Sequence, residues 1–137
     1  MYARIGVPID LEHTAALEKA VATAAALARV FDATIDLVAV TSPSPGAVAS
    51  NPQAFGAHLA AYARDCGARH DAVFTPRVRI CDDPGADLDR ELSAAFHELG
   101  NDLVVVASHV PGLREYVFSS NAGWLASHTD LSVFVVR

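Results

Sequence analysis

Residues that can bind or react follow three apolar runs of the chain. The segments are 8 to 13, 40 to 42 and 108 to 120, and the last of them begins with Ser108 and His109. When such runs are parallel strands of an open sheet, a ligand binds beyond their carboxyl ends, where the winding direction reverses. The spacing therefore predicts one cleft lined by all three segments.

The segment before the last helix offers contacts for an anion. Ser119 and Ser120 begin this predicted helix, whose free N–H groups can bind a phosphate together with the serine hydroxyls. Arg114 can reach the same phosphate from the preceding loop. Each residue also has a simpler interpretation, the serines as helix caps and Arg114 as a solvated surface charge. The residues alone leave both interpretations open.

Several catalytic and metal-binding patterns are missing. The dinucleotide fingerprint GxGxxG and the phosphate loop GxxxxGK[ST] are absent. Adjacent strand residues such as Ser108 and His109 point to opposite faces, and no GxSxG elbow is present, so a hydrolase triad is not predicted. His13 and His109 lack a third ligand or a nearby carboxylate cluster, and Cys66 and Cys81 lack CxxC spacing. We therefore assign no catalytic and no metal-binding residue.

Composition excludes two classes of partner. The chain has 137 residues with a formal charge of −6, and Lys19 is its only lysine. Binding to nucleic acid or to an anionic membrane surface needs clustered cations, so neither is expected. The N-terminus does not resemble a secretory leader, and no segment approaches the length of a membrane span. We expect a cytoplasmic protein.

Apolar residues alternate between short continuous runs and stripes of helical spacing. The predicted strands are 3–9, 34–41, 72–81, 102–108 and 131–137. The predicted helices are 12–31, 53–69, 84–99 and 119–128, and 42–52 is a loop rich in proline. Asp83 is predicted to cap the third helix and Gly100 to end it. Strict alternation with right-handed crossovers predicts an α/β fold: a single doubly wound domain over residues 1–137, with helices on both faces of a parallel sheet.

Five features of the sequence together resemble the universal stress protein family. They are VPID at the end of the first strand, DDPG before the third helix, the run DLVVVASH, a long loop into SSNA, and the closing SVFVVR. The similarity covers essentially the whole chain. It implies a five-stranded sheet in the order 3-2-1-4-5, of the adenine-nucleotide alpha-hydrolase-like type, with a nucleotide-sized cleft.

One branch of this family binds ATP through the pattern G-x2-G-x9-G-[ST] after the fourth strand. Here Ala107 and Val110 stand at the first two glycine positions. A strict count places Ser120 and Asn121 at the final pair, whereas a count shorter by one residue places Ser119 and Ser120 there. Glycine lets the backbone approach a phosphate without a Cβ, and valine resists positive φ. The ATP motif is therefore degenerate.

The resemblance also implies contacts outside the glycine pattern. Asp10 corresponds to an acidic residue that meets the ribose or the adenine, and the Val40 backbone corresponds to an adenine contact. Asp10 is equally explained as a cap of the first helix, and Val40 as a core strand residue. The predicted cofactor-binding residues are Pro8, Ile9, Asp10, Val40, Ala107, His109, Val110, Gly112, Arg114, Ser119, Ser120 and Asn121.

The last strand predicts an assembly. It is apolar on both faces through Val133, Phe134, Val135 and Val136, so a bare edge there would pair with other chains. A homodimer that joins two such edges would bury them, which is also what the resemblance implies. The alternative is an edge covered by the chain's own loops.

These observations favour a non-enzymatic regulatory or stress-response protein, with ATP, AMP or no nucleotide as its ligand. The alternatives are a nucleotide sensor that retains ATP or AMP binding, and a slow nucleotide hydrolase. The hydrolase would lack the lysine and the paired carboxylates that phosphoryl transfer with magnesium uses. A third alternative is an interaction module that acts through the last strand and the 42–52 loop.

Overall fold

The predicted alternation of strands and helices is present in a computed structural model, which describes residues 1–108 and 118–137, and of residues 118–122 the backbone alone. The strands are β1 (Arg4–Pro8), β2 (Thr34–Thr41), β3 (Phe74–Ile80), β4 (Leu103–Ala107) and β5 (Ser132–Val136). The helices are α1 (Glu18–Phe31), α2 (Pro52–His70), α3 (Pro84–Leu99) and α4 (Phe118–His128), and a 3-10 helix (Thr14–Leu17) precedes α1. The strands form a parallel sheet in the order β3-β2-β1-β4-β5. The predicted fold class and strand order are confirmed.

Helices cover both faces of the sheet because the central strands are apolar on both. Ile5 and Leu37 belong to one core with residues of α1 and α2. Val38 and Val104 belong to a second core with Phe96 of α3 and with residues of α4. A parallel sheet buried on both faces reads as continuous apolar runs, as these strands do. Among the residues described, none of the helices has the length and apolar character needed to cross a membrane.

Local sequence signals fix the ends of α3 but misplace the start of α1. The Asp83 carboxylate accepts a hydrogen bond from the Ala86 N–H at 3.2 Å, and Gly100 closes the helix with φ +74°. Both predictions for this helix are confirmed. The predicted helix at 12–31 instead becomes α-helical only at Glu18, because the Asp10 carboxylate accepts the Glu12 N–H at 2.9 Å and holds a turn before the 3-10 helix.

A buried carboxylate joins four parts of the sheet at its amino end. Asp36 of β2 is 1% exposed. It accepts hydrogen bonds from Arg4 of β1 at 2.8 Å, from Arg77 of β3 at 3.0 Å, and from the Asn101 side chain, which precedes β4, at 2.9 Å. A buried charge needs such partners, since an unpaired one is costly. The sequence analysis did not find this network.

Ionisation of Asp36 is maintained by these partners. Burial alone raises the pKa of Asp36, but hydrogen bonds from Arg4, Asn101 and Arg77 outweigh it and hold the pKa below its ordinary value. The folded pKa is thus lower than the unfolded one. The stabilisation by this ion pair network is therefore present at neutral pH and is lost as the pH falls through the folded pKa.

Gly6 lets α3 approach β1 closely. A Cβ at this position would lie 2.5 Å from Phe96 Cδ1, and the Phe96 side chain is fully buried. Real carbon atoms do not approach so closely, so the ring can occupy its position only because residue 6 has no side chain.

We expect Gly6→Ala to lower the free energy of unfolding by about 1–3 kcal/mol or more, because the added methyl group overpacks the core against Phe96. Urea unfolding measures this change. Gly123→Ala is the matched control, since a Cβ there meets no atom within 4 Å and alanine favours the helix by about 0.5–1 kcal/mol. In the double variant Gly6→Ala/Phe96→Leu, the loss in the free energy of unfolding should be smaller than the sum of the losses in the two single variants. Full additivity would contradict the contact.

Candidate functional site

A cavity of about 320 Å³ lies at the carboxyl ends of β1 and β2. Its lining comes from four parts of the chain: the segment after β1, the end of β2 with the following loop, the start of α2, and the first turns of α3. The lining residues are Ile9, Asp10, Leu11, Glu12, Val40, Thr41, Ser42, Gly46, Ala47, Val48, Ala49, Phe55, Pro84, Gly85, Leu88 and Leu92. Its size is within the range of small-molecule sites, at the edge of an open sheet where such sites occur.

The walls of the cavity are mainly apolar. Phe55 is buried at the start of α2, and Leu92 is buried on the sheet-facing side of α3. Val48 belongs to the loop between β2 and α2, where the Gly46 N–H donates to the Ala49 carbonyl at 3.0 Å. Val48 and Ala49 pack against the core, so this part of the loop covers the cavity. The loop is thus part of the site, in contrast with its role as an interaction surface in the third alternative above.

Strand backbone groups of Val40, which have no hydrogen-bond partner among the described residues, face the cavity. The Ile9 N–H donates to the Val38 carbonyl at 2.8 Å, and the Cys81 N–H donates to the Thr41 carbonyl at 2.9 Å on the opposite side of β2. Consecutive strand residues direct their peptide groups to alternate sides, so the Val40 N–H and carbonyl point toward the β1 side. Since β1 ends at Pro8, these groups point into the space beyond its end. They can form hydrogen bonds with the polar edge of a planar ligand.

Carboxylates form the charged part of the lining. One oxygen of Asp10 accepts the Glu12 N–H, and the other lies 3.0 Å from His13 Nδ1. Asp10 therefore holds a turn. It does not cap the first helix, because neither the 3-10 helix nor α1 has a side-chain cap. Asp10 remains within the cavity lining, where its carboxylate can accept hydrogen bonds from hydroxyl groups.

The structure brings a carboxylate cluster to His13, which the sequence analysis did not expect. Ligand atoms of Asp10, Glu12 and His13 all lie within 4.8 Å of one another. The reason given above for excluding a metal at His13, the lack of nearby carboxylates, is therefore wrong. The Asp10 and His13 side chains already contact each other at 3.0 Å, and surface carboxylates often cluster without an ion, so we assign no metal to the three residues.

The predicted site residues fall into three groups. Ile9, Asp10 and Val40 line the cavity, and Pro8 ends β1 next to it. Ala107 ends β4, is 7% exposed and lies outside the cavity lining.

The third group lies outside the described residues. His109, Val110, Gly112 and Arg114 are all in the segment 109–117. Ser119, Ser120 and Asn121 are in α4, where the backbone alone is described. Because α4 begins at Phe118, the serines lie within its first turn, and the interpretation of either as the residue preceding the helix is wrong.

Several lining residues were not predicted as site residues. Phe55, Leu88 and Leu92 lie in predicted helices and were not expected in the cleft, whereas Glu12 lies in the segment 8 to 13 that was predicted to line it. Three consecutive apolar residues, Ala47, Val48 and Ala49, lie inside a loop rich in proline, serine and glycine. This sequence could have indicated that the loop is partly buried, since exposed loops seldom need three consecutive apolar residues.

Comparison with known proteins agrees with this architecture. A sequence model described as the universal stress protein family matches residues 1–137. Universal stress protein G of Shigella flexneri is 31% identical over 144 aligned positions, which cover 100% of both chains.

Solved structures share the fold. A universal stress protein in complex with cAMP matches with a TM-score of 0.69 and 17% identity, over 99% of this chain and 97% of the other. The universal stress protein from Archaeoglobus fulgidus in complex with dAMP matches with a TM-score of 0.65 and 18% identity, over 99% and 98%. From its sequence over the full length, and with the sheet order and cavity described above, this chain belongs to the universal stress protein family.

Proposed function

We propose that this chain is a non-enzymatic, cytoplasmic stress-response protein that binds an adenine nucleoside or nucleotide as a single domain over residues 1–137. The observation that carries this proposal is the cavity beyond β1 and β2, which combines apolar walls with the unpaired backbone groups of Val40. Two universal stress proteins of the same fold are described with cAMP and dAMP bound, which supports an adenine ligand here.

In this proposal the adenine ring binds in the inner part of the cavity. Its faces are apolar, and Phe55, Leu88 and Val48 provide apolar surface from three different elements. Its edge has both donors and acceptors, which the Val40 N–H and carbonyl can satisfy. Such a combination of apolar walls and a few fixed polar groups is typical of sites that bind small molecules with a defined orientation.

In this proposal the ribose lies next to Asp10. Its carboxylate lies in the lining next to the end of β1, and a carboxylate accepts hydrogen bonds from ribose hydroxyls. The phosphate contacts belong to the degenerate glycine pattern, of which Ala107 is at the end of β4. Because alanine and valine replace the first two glycines, we propose that backbone contacts to phosphates are reduced.

The ionisable side chains of the cavity favour a binding role over hydrolysis. The ionisable side chains among the described lining residues are Asp10 and Glu12, a pair of carboxylates that the sequence analysis did not expect. These described residues include no lysine or arginine that would stabilise a transferring phosphoryl group. If the protein binds ATP, product formation over hours distinguishes a slow hydrolase from a binding protein.

We further propose that two copies pair through β5. This strand is at the end of the sheet, bonded on one side to β4. Phe134 and Val135 are 44% and 41% exposed there, although both are large and apolar. Pairing of two such edges would satisfy their free backbone groups and bury these side chains.

AMP should stabilise the protein by about 2.7 kcal/mol when present at about 100 times its dissociation constant. Thermal unfolding with and without AMP measures this effect. Ala49→Trp should abolish it by filling the cavity, whereas Ala26→Trp, on the exposed side of α1, should retain it. Circular dichroism checks that both variants fold. Wild-type affinity in a folded Ala49→Trp variant would show that AMP binds elsewhere.

Asp10→Ala should weaken AMP binding about ten-fold, because a hydrogen bond to a charged acceptor is lost. The affinity for dAMP, which lacks the 2′-hydroxyl, should fall less. Asp10→Asn is the control for the turn, since its amide oxygen can still accept the Glu12 N–H. Titration calorimetry of all three proteins with both ligands gives the ratios. Equal losses for AMP and dAMP would indicate that Asp10 supports the turn without touching the 2′-hydroxyl.

Val135→Lys should convert the wild-type dimer to a monomer, because it places a charge in the proposed apolar interface. Light scattering after gel filtration measures the mass. Val73→Lys is the matched control, since Val73 is 82% exposed in the turn before β3. A monomeric wild-type protein, or a dimeric Val135→Lys variant, would contradict pairing through β5.

A further inference from the structure

The cavity has a lining whose described charges are all negative. Asp10 and Glu12 are its ionisable residues, and Glu12 is exposed at the surface. His13 lies beside them, with its Nδ1 atom 3.0 Å from the Asp10 carboxylate. The chain as a whole also has a formal charge of −6. An anionic group that enters or leaves this cavity therefore passes a region of negative potential.

The helix that could counter this charge is already capped. Pro84 and Gly85, at the amino end of α3, line the cavity, and a helix amino terminus ordinarily attracts anions through its free N–H groups. Here the Asp83 carboxylate accepts the Ala86 N–H at 3.2 Å. The chain's own carboxylate thus accepts one of the N–H groups at this helix end.

The sequence after β4 also disfavours the binding of phosphates. Ala107 and Val110 stand where the ATP-binding pattern has glycines, so the backbone there is less able to approach phosphates. Arg114 is the cation in this segment, and it lies outside the described residues. Base and sugar contacts are therefore retained in the described cavity, while the groups near it disfavour additional phosphates.

Building on the proposed function, we infer that this cavity selects nucleosides and monophosphates over triphosphates, and that Glu12 is a specificity-determining residue. Each added phosphate increases the negative charge of the ligand. Repulsion between charges several ångströms apart near a protein surface is sufficient to change affinity several-fold, and salt screens it. The Glu12 carboxylate is exposed and lines the cavity, so its charge repels an added phosphate.

Titration calorimetry with adenosine, AMP and ATP tests this inference at low salt and without divalent cations. We expect adenosine and AMP to bind within about three-fold of each other and ATP to bind about ten-fold more weakly, with the difference decreasing as salt is raised. Glu12→Gln should raise the ratio of ATP affinity to adenosine affinity about three-fold.

Asp32→Asn is the matched control for Glu12→Gln. It removes the same charge at the opposite end of the sheet, and asparagine tolerates the left-handed conformation that Asp32 adopts with φ +53°. It should not change the ratio of ATP to adenosine affinity.

The outcomes separate the inference from the proposed function. If ATP binds more tightly than adenosine, or if Glu12→Gln and Asp32→Asn change ATP binding equally, the role of Glu12 is overturned while the adenine site stands. A tight ATP complex would assign phosphate recognition to Arg114 and its neighbours. If none of the three ligands binds, the proposed function itself is wrong, and the inference is overturned with it.

Discussion

The buried carboxylate of Asp36 is the interaction on which the arrangement of this sheet depends. It binds Arg4, Arg77 and Asn101, which belong to β1, β3 and the residues before β4. Replacement of one partner in such a network leaves a charge or an amide unpaired in the interior, and this is strongly unfavourable. A shift of any of these strands along its neighbour would have the same effect. The network therefore selects one register for the central strands, which apolar packing alone does not specify as strictly.

The polar contacts at the amino end of the sheet leave its carboxyl end free to bind a ligand. At that end β1 stops at Pro8 while β2 continues to Thr41, so the Val40 peptide groups have no partner on β1. Phe96 packs closely against Gly6 and fixes the position of α3 on the sheet. The first turns of α3 then supply one wall of the cavity. Strand register and the position of α3 thus contribute to the site, together with the loop and α2 residues that line it.

The strands and helices could be predicted from the sequence because their signals are local, whereas the strand order came from the resemblance to a known family. Apolar runs and helical stripes gave each element, and Asp83 and Gly100 marked the ends of α3. The Asp36 network could not be predicted, because its partners lie up to 65 residues from Asp36 and a charge in an apolar strand does not indicate which side chains it contacts. The turn at Asp10 was also missed, since helical spacing in 12–31 is equally compatible with a 3-10 turn that precedes α1.

The cavity and the glycine pattern after β4 depend on different kinds of residue. The walls of the cavity are built from residues that also pack the core, such as Phe55 and Leu92, so their loss would destabilise the fold as well as the cavity. Phosphate recognition in the ATP-binding pattern depends instead on a few glycines whose only task is to let the backbone approach an anion. Alanine or valine at those positions, as at Ala107 and Val110, need not weaken the core. If the proposed function is correct, reduced recognition of phosphates therefore need not weaken recognition of a base by this chain.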